Sequence, residues 1–539
     1  MTDALEKIVT RKGFAATPQS VQADPRQAAN HAGGWSFTVA DEVRIHRFLT
    51  IGTTGGTYYV GEDRLTAESA SVVLDWARKN PAGLAAMAAD VSAAGRAPKN
   101  QPAIFAVTAA MALGETVEGR QAAAAQFEKV VRTGTHLFTA AKYTGQFRGW
   151  GRGARRAFAG WYLHKDAEKL SYQLVKYRQR DGWTHRDVLR SAHSTAGADA
   201  AHAVLFDWLC GRGVSDDSLP KWALAYRKAQ EIQHSTGSPV ARYVALIEEY
   251  PGLPWEILPD EATSKAEVWR ALIDAGMPVT ALLRHLPQLT RLGVLAPMSS
   301  HLRAACAQLT DADALKRQRV HPVAVLIALK TYASGRSEKG TGTWTPVPQV
   351  AAALNDAFYL AFGAVEPAGK RTMIALDVSG SMRSCTAGYN LQCAEVTAAM
   401  SMVIMKTEPS WGVYGFAAGI KPLNLAPHMA LEDVARRVSG LTYGGTDCSL
   451  PMQWAAQNRV EVDTFQVWTD NETWAGAVHP HQALEMYRQR MGIAAAQQVI
   501  AITPTEFSIA DPADPLTLDV SGFDARVPVL LADHARGSI

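Results

Sequence analysis

The sequence predicts a chain in two parts, an all-helical array of paired helices over residues 1–365 and a doubly wound α/β domain over 366–539. Three observations carry this. From about residue 67 to 362, apolar residues recur at helical spacing in many segments separated by brief Gly, Pro or Asp/Asn breaks. Residues 363–370 then combine two glycines, a proline and polar side chains, the composition of a domain boundary. Beyond them, short apolar strands alternate with helices, which is the βαβ succession of a mostly parallel sheet.

Each element has its own signal. In the stretch 33–65, β-prone runs flank Gly33-Gly34 and Gly55-Gly56, which reads as a small hairpin element. Helices are expected over 102–113, 120–142, 166–180, 199–210, 221–234, 240–250, 264–275 and 323–334. Lengths recur but residues do not, as in degenerate HEAT-type solenoids, where each helix pair needs only to bury one face against its neighbour. The second part reads strand 372–376, helix 391–406, strand 411–416, helix 431–439, strand 465–469, helix 481–491, strand 498–503 and helix 523–534. Ligands of such sheets gather at the carboxyl ends of the strands.

Composition removes several classes. With 539 residues, 47% hydrophobic and 19% charged, the chain is ordinary globular material rather than disordered or collagenous. No apolar run nears the roughly 20 residues of a membrane span, and charges interrupt the N-terminus before any secretory h-region forms. A cytoplasmic, soluble monomer is expected. Cys210, Cys306, Cys385, Cys393 and Cys448 are odd in number and lack C-x-x-C spacing, so reduced thiols are expected rather than disulfides or zinc.

The net charge of +3 conceals an uneven distribution. Residues 366–539 hold 12 Lys and Arg against 18 Asp and Glu, whereas 142–193 alone holds 12 against 4. Phosphate binding is the reading that such clustering favours over a merely solvated face. On a continuous helix over 166–180, Lys176 and Arg180 each fall within about 20° of Lys169, giving one cationic stripe beside an apolar face of Leu170, Leu174 and Tyr177. Gly182-Trp183 ends that helix, and Thr184 N-caps a second one carrying Arg186, Arg190 and His193.

In the second part, Asp377-Val378-Ser379-Gly380-Ser381 leaves the first strand as a D-x-S-x-S array. Hard cations such as Mg²⁺ take about six oxygen ligands, and neutral hydroxyls with carboxylates and water supply them. Thr446 and Asp470, on later strand-end loops, are the two further oxygen donors. A lone strand-end Asp would more often be a cap or an Asx-turn, but five polar positions on three loops reverse that preference. A phosphohydrolase built on Asp377 would need a second Asp where Ser379 stands, and P-loop, H-E-x-x-H and G-x-S-x-G motifs are absent, so no catalysis is expected.

The residues Asp377, Ser379, Ser381, Thr446 and Asp470 resemble the metal-ion-dependent adhesion site of von Willebrand factor A domains. The segments HAGGWSFTVADEVRIHRFLTIGTTGGTYY (31–59), RTGTHLF (132–138), FRGWGRG (147–153) and KYRQRDGWTHRDVLRSAH (176–193) resemble the TROVE domain of Ro autoantigen proteins, and LDVSGSM and TDNET follow in the same order. The Ala- and Arg-rich, Lys-poor composition leans to a bacterial member. The resemblance implies a ring of HEAT-like repeats closed by the A domain, small non-coding Y RNA on its outer surface, 3′ ends of misfolded RNA in its central hole, and a 3′ exoribonuclease as partner. It implies that Lys176, Arg180 and His193 contact Y RNA. Lys169, Arg186 and Arg190 join them from the charge pattern. A Mg²⁺ or other divalent cation at the adhesion site would take an acidic side chain of a protein partner. The alternative is a metal-dependent protein-adhesion scaffold to which RNA is incidental.

Overall fold

The computed structural model describes residues 16–52, 62–194, 199–235, 239–337, 340–383, 391–441 and 444–539. The Gly55-Gly56 turn and Cys385 lie outside the described residues; the other four cysteines are free thiols. Among the described residues no helix is long and apolar enough to cross a membrane.

Residues 27–38 form the expected hairpin, Gln27–Ala29 antiparallel to Trp35–Thr38, with Asn30 to Gly34 as its turn. The β-prone reading fails beyond it, because Asp41–Ile51 is a helix. Its residues Ile45, Phe48 and Leu49 follow the i, i+3, i+4 period and are buried, so tertiary packing overrides the strand propensity of Val43, Ile45 and Ile51. The array continues as helices packed on their sequence neighbours, including Pro81–Ala94, Gln101–Leu113, Val117–Ala125, Gly134–Phe147 and Arg152–Leu163. The helix expected over 120–142 is in fact three pieces. It breaks at Gln126 and again before Thr133, whose hydroxyl accepts from the His136 N–H as an N-cap.

The α/β domain is a six-stranded sheet in which Thr517–Ser521, Ala496–Ala501, Thr464–Thr469, Thr372–Asp377 and Trp411–Phe416 run parallel in that spatial order. Ile420–Pro422 closes one edge antiparallel. The fourth expected strand starts two residues earlier than the sequence suggests, and Thr517–Ser521 and the helix Leu450–Gln457 are additions to the expected list. One core runs from Val175 through the later array helices into the sheet face covered by Cys393–Thr407, Leu431–Ser439 and Val527–Arg536. Met452, Phe465, Leu484 and Tyr487 fill the opposite face.

Both ends of the array dock on this domain. Near its start, Arg47 is fully buried, gives both hydrogens of a bidentate pair to Asp519 (2.7 and 2.8 Å) and donates to the Thr505 and Phe507 carbonyls. Near its end, Lys330 pairs with Glu395 at 2.8 Å, and Asn355 accepts from the Leu431 N–H. The ends also touch each other, because His321 Nε2 donates to the Arg96 carbonyl at 3.4 Å while Arg96 pairs with Asp524 at 3.1 Å. The helices thus close into a ring on the α/β domain. Phe507–Ser508 adds a third strand to the N-terminal hairpin, tying the first described residues to the last part of the chain.

The closure is built with neutral histidines. His46 Nε2 accepts from Arg96 at 2.7 Å, and His321 Nδ1 accepts from the Val323 N–H at 3.1 Å, so a proton on either would break a bond. Burial first, then the Arg96 charge, pulls His46 down to about 4; burial likewise pulls His321 to about 4. Both folded values lie below the usual ~6.5, so the unfolded chain takes up more protons between about pH 6.5 and 4. Their stabilisation is full above that window and falls as pH drops through it, by at most about 1.4 kcal/mol per histidine per pH unit. Unfolding midpoints in urea measured from pH 7 to 4.5 are expected to decline, and His46→Gln with His321→Gln to flatten the decline. An unflattened profile would assign the acid sensitivity to other groups.

Candidate nucleic-acid interface and strand-end acid cluster

The basic segment folds differently from the expected pair of helices. The first helix is Ala167–Lys176, with Asp166 as its N-cap, and it ends at Tyr177. Gln179–Arg180 and Trp183–Thr184 then pair as a two-stranded hairpin. Its tip is Asp181-Gly182, both with positive φ (54° and 80°), which is the Asp-Gly pairing of a tight two-residue turn. Arg180 therefore does not extend the helical stripe of Lys169 and Lys176; it projects from a strand beyond the helix end.

The hairpin is pinned from two sides. Asp181 accepts from the Thr139 hydroxyl at 2.9 Å, and His185 is sandwiched between the Tyr162 hydroxyl (2.9 Å to Nδ1) and the Tyr177 carbonyl (2.8 Å from Nε2). Burial drives His185 down to about 3, so it is neutral, with its proton on Nε2 facing the carbonyl. Thr184 caps His185–Ala192 as expected, in a reciprocal box with Asp187. Val188, Leu189 and Ala192 face inward, while Arg186 and Arg190 are exposed one turn apart. His193 ends the helix in the left-handed region at φ 51°, exposed to solvent.

Arg180, Arg186, Arg190 and His193 are thus all exposed on the hairpin and the helix that follows it, with Lys176 at the end of the preceding helix. Lys176 Nζ lies between two rings, 5.4 Å from the centroid of Tyr172 and 5.6 Å from that of Tyr177. Lys169 is further along the helix, exposed and paired with Asp166 at 2.9 Å. Trp150 packs tilted against Trp183, with ring centroids 5.6 Å apart and planes at 47°, and so ties the segment carrying the exposed Arg148, Arg152 and Arg156 to the hairpin. These three lie in the segment that the charge count marks, but no spacing rule in the sequence attaches them to Trp183.

In the α/β domain all five expected oxygen donors are buried at the carboxyl edge of the sheet, each at most 3% exposed. Asp377 Oδ1 accepts from the Ser379 N–H (2.9 Å) and Oδ2 from the Thr469 hydroxyl (2.9 Å). Ser379 Oγ and Ser381 Oγ are 2.9 Å apart. Burial pushes Asp377 up to about 6; burial, with the neighbouring Asp377 and Glu472 carboxylates, pushes Asp470 well above the carboxylate range. Among the described residues, Thr446 Oγ1 and Asp470 Oδ2 are buried without hydrogen-bond partners, as is Glu472 Oε2. Orphaned buried oxygens are costly unless something positive meets them, and hydroxyls with carboxylates are the donors a hard divalent cation takes. The residues fit such an ion.

Sequence reasoning did not single out Glu472. It is fully buried, its Oε1 lies 3.0 Å from His31 Nδ1, and it brings the N-terminal hairpin against the acid cluster. Its signal was the TDNET run, in which it stands two residues after Asp470.

A helical ring closed on an α/β domain with this strand-end cluster defines a TROVE-domain protein carrying a von Willebrand factor A domain. The family model described as the TROVE domain matches residues 28–225 and 252–331, and the one described as the Ro60 vWA domain matches 371–535. The chain belongs to the Ro60 family. It is 42% identical to the RNA-binding protein RO60 of Deinococcus radiodurans over 97% of this chain and 98% of that one. To the Caenorhabditis elegans RNA-binding protein RO60 it is 32% identical, over 95% and 90%. The crystal structure of the D. radiodurans Ro (Rsr) protein superposes with a TM-score of 0.69, covering 93% of this chain and all of that one at 41% identity.

Proposed function

We propose that this protein is the RNA-binding scaffold of a small ribonucleoprotein and not an enzyme. It would bind a small non-coding Y RNA on the corner formed by Lys176, Arg180, Arg186, Arg190 and His193, with Lys169 on the flank. The 3′ ends of misfolded RNAs would enter the central hole, and a 3′ exoribonuclease would act on them in the cytoplasm, with the ring as a monomer. The observation that carries this is the exposed cationic corner held rigidly by the His185 and Asp181 contacts. Two relatives that align over nearly the whole chain are named RNA-binding proteins, which speaks against RNA as an incidental ligand. Sequencing the RNA that copurifies from the native host tests the reading directly. A defined small structured RNA is expected, and nucleic-acid-free preparations would overturn it.

In the same proposal Asp377, Ser379, Ser381, Thr446 and Asp470 hold Mg²⁺ or another divalent cation, which would supply a Lewis-acidic position for an acidic side chain of a protein partner. Adding MgCl₂ to EDTA-treated protein is expected to stabilise the α/β domain, by about 2.7 kcal/mol at a hundredfold excess over Kd. Asp377→Ala should remove the response. A melting curve indifferent to Mg²⁺, Mn²⁺ and Ca²⁺ would leave the cluster without a metal.

A further inference from the structure

A second feature lies on the other flank of the basic helix. A cavity of about 340 Å³ opens between Ala167–Lys176 and Lys221–Gln233, lined by Lys165, Glu168, Lys169, Tyr172, Gln173 and Trp222. That volume lies in the range of small-ligand sites. Tyr172 and Trp222 form two of its walls, with ring centroids 5.3 Å apart and planes at 76°. A flat ring lying against one of them presents its edge to the other, the arrangement aromatic groups prefer.

The polar groups around these rings are mostly cationic. Lys165 is half-buried, donates to the Trp161 carbonyl at 2.7 Å and stands 4.0 Å over the Trp161 ring; among the described residues no carboxylate is bonded to it, and Glu128 acts on it through its charge alone. Burial pulls its ammonium down to about 8, and an anion entering the cavity would offset that cost. Lys169 has a side chain 82% exposed and among the described residues pairs within its own first turn, with Asp166, an exposed pair of little worth that a phosphate can replace. Lys221 Nζ lies 4.5 Å over the Trp222 ring. Glu168 is the one acid in the lining, and its Oε1 accepts from the Lys221 N–H at 3.0 Å; Glu256 lies near enough for its charge to act on Tyr172, as Glu128 does on Lys165. Gln173 uses its carbonyl oxygen to accept from the Gly134 N–H at 3.1 Å, so a ligand edge meeting this side chain meets its NH₂.

We infer that this cavity takes one unpaired nucleotide of an RNA chain, with its base against Tyr172 and Trp222 and its phosphate against Lys165 and Lys169. The inference rests on the RNA-binding reading and adds a single-strand subsite to it. Aromatic walls beside lysines are how proteins hold unpaired bases, because every base has a π-face, whereas stacked bases in a duplex cannot enter. An acidic peptide would use the lysines and leave both rings without a purpose. The subsite is continuous with the cationic corner, since Lys176 Nζ donates to the Tyr172 hydroxyl at 3.4 Å.

The test uses the full-length protein and two RNAs, a blunt hairpin and the same hairpin with a short oligoadenylate tail. Fluorescence anisotropy is expected to show Trp222→Leu weakening the tailed RNA about tenfold and the blunt RNA less than twofold, whereas Lys176→Ala with Arg180→Ala weakens both. Equal binding of the tailed RNA by Trp222→Leu and the native protein overturns the subsite and leaves the RNA reading standing. Native protein that binds neither RNA overturns both. Because Trp222 also packs against the core, a 5-iodouridine placed in the tail provides a second measurement on the native chain. Photocrosslinks at Tyr172 or Trp222 support the subsite, and crosslinks confined to 178–193 overturn it. Free AMP that quenches tryptophan emission while the tail does not would assign the cavity to a mononucleotide and likewise overturn the inference.

Discussion

Arg47→Ala is expected to destabilise the closed ring by about 3–5 kcal/mol, the cost of leaving a buried ion pair with one partner. The guanidinium is fully buried and satisfies Asp519 together with the Thr505 and Phe507 carbonyls, all more than 450 residues away in the chain. Lysine is not expected to rescue it, since one ammonium cannot span a bidentate carboxylate and two carbonyls in that fork. In calorimetry the variant should show an early transition as the first helices leave the α/β domain, and limited proteolysis should cleave it faster than the native protein. A variant that melts with the native protein would mean that the closure draws its stability from the apolar contacts alone.

Lys176→Ala combined with Arg180→Ala is expected to weaken binding of a small structured RNA by more than about tenfold, or at least ~1.4 kcal/mol. Extending the set to Arg186 and Arg190 should reduce the dependence of log K on log salt by ~0.9 for each lost phosphate contact, if the duplex DNA value transfers. The stability of these variants should be unchanged, because Arg180, Arg186 and Arg190 are exposed and Lys176 bonds only the Tyr172 hydroxyl among the described contacts. Anisotropy titrations at several salt concentrations check both quantities. Undiminished affinity in the fourfold variant would move the RNA to another face.

The fold class was legible because unbroken helical spacing gives way near residue 365 to short apolar strands alternating with helices, and the acid cluster because strand-end loops of such sheets converge on one edge. All five oxygen donors expected there are buried. What escaped reading is physically specific. The period through 166–180 is helical throughout, and it masks the Asp181-Gly182 turn, whose preference for positive φ pulls residues 179 and 180 into a hairpin. Asp41–Ile51 carries β-branched residues whose helical spacing counts only once a core exists to receive it. Arg47 reads as a surface charge because its partner is 472 positions distant. Glu472 and His31 meet for the same reason, through a contact that no local pattern announces.

The pairing of Thr38 with Phe507 has a temporal consequence. During translation at about 5–20 residues per second, the N-terminal hairpin emerges roughly half a minute to a minute and a half before the strand it must join exists. The basic corner at 176–193 is therefore synthesised, and its local helices available, on an open arc still attached to the ribosome. Closure therefore waits on residues 505–519, which pair with the N-terminal hairpin and receive Arg47, so the chain stays an open arc until that segment is made.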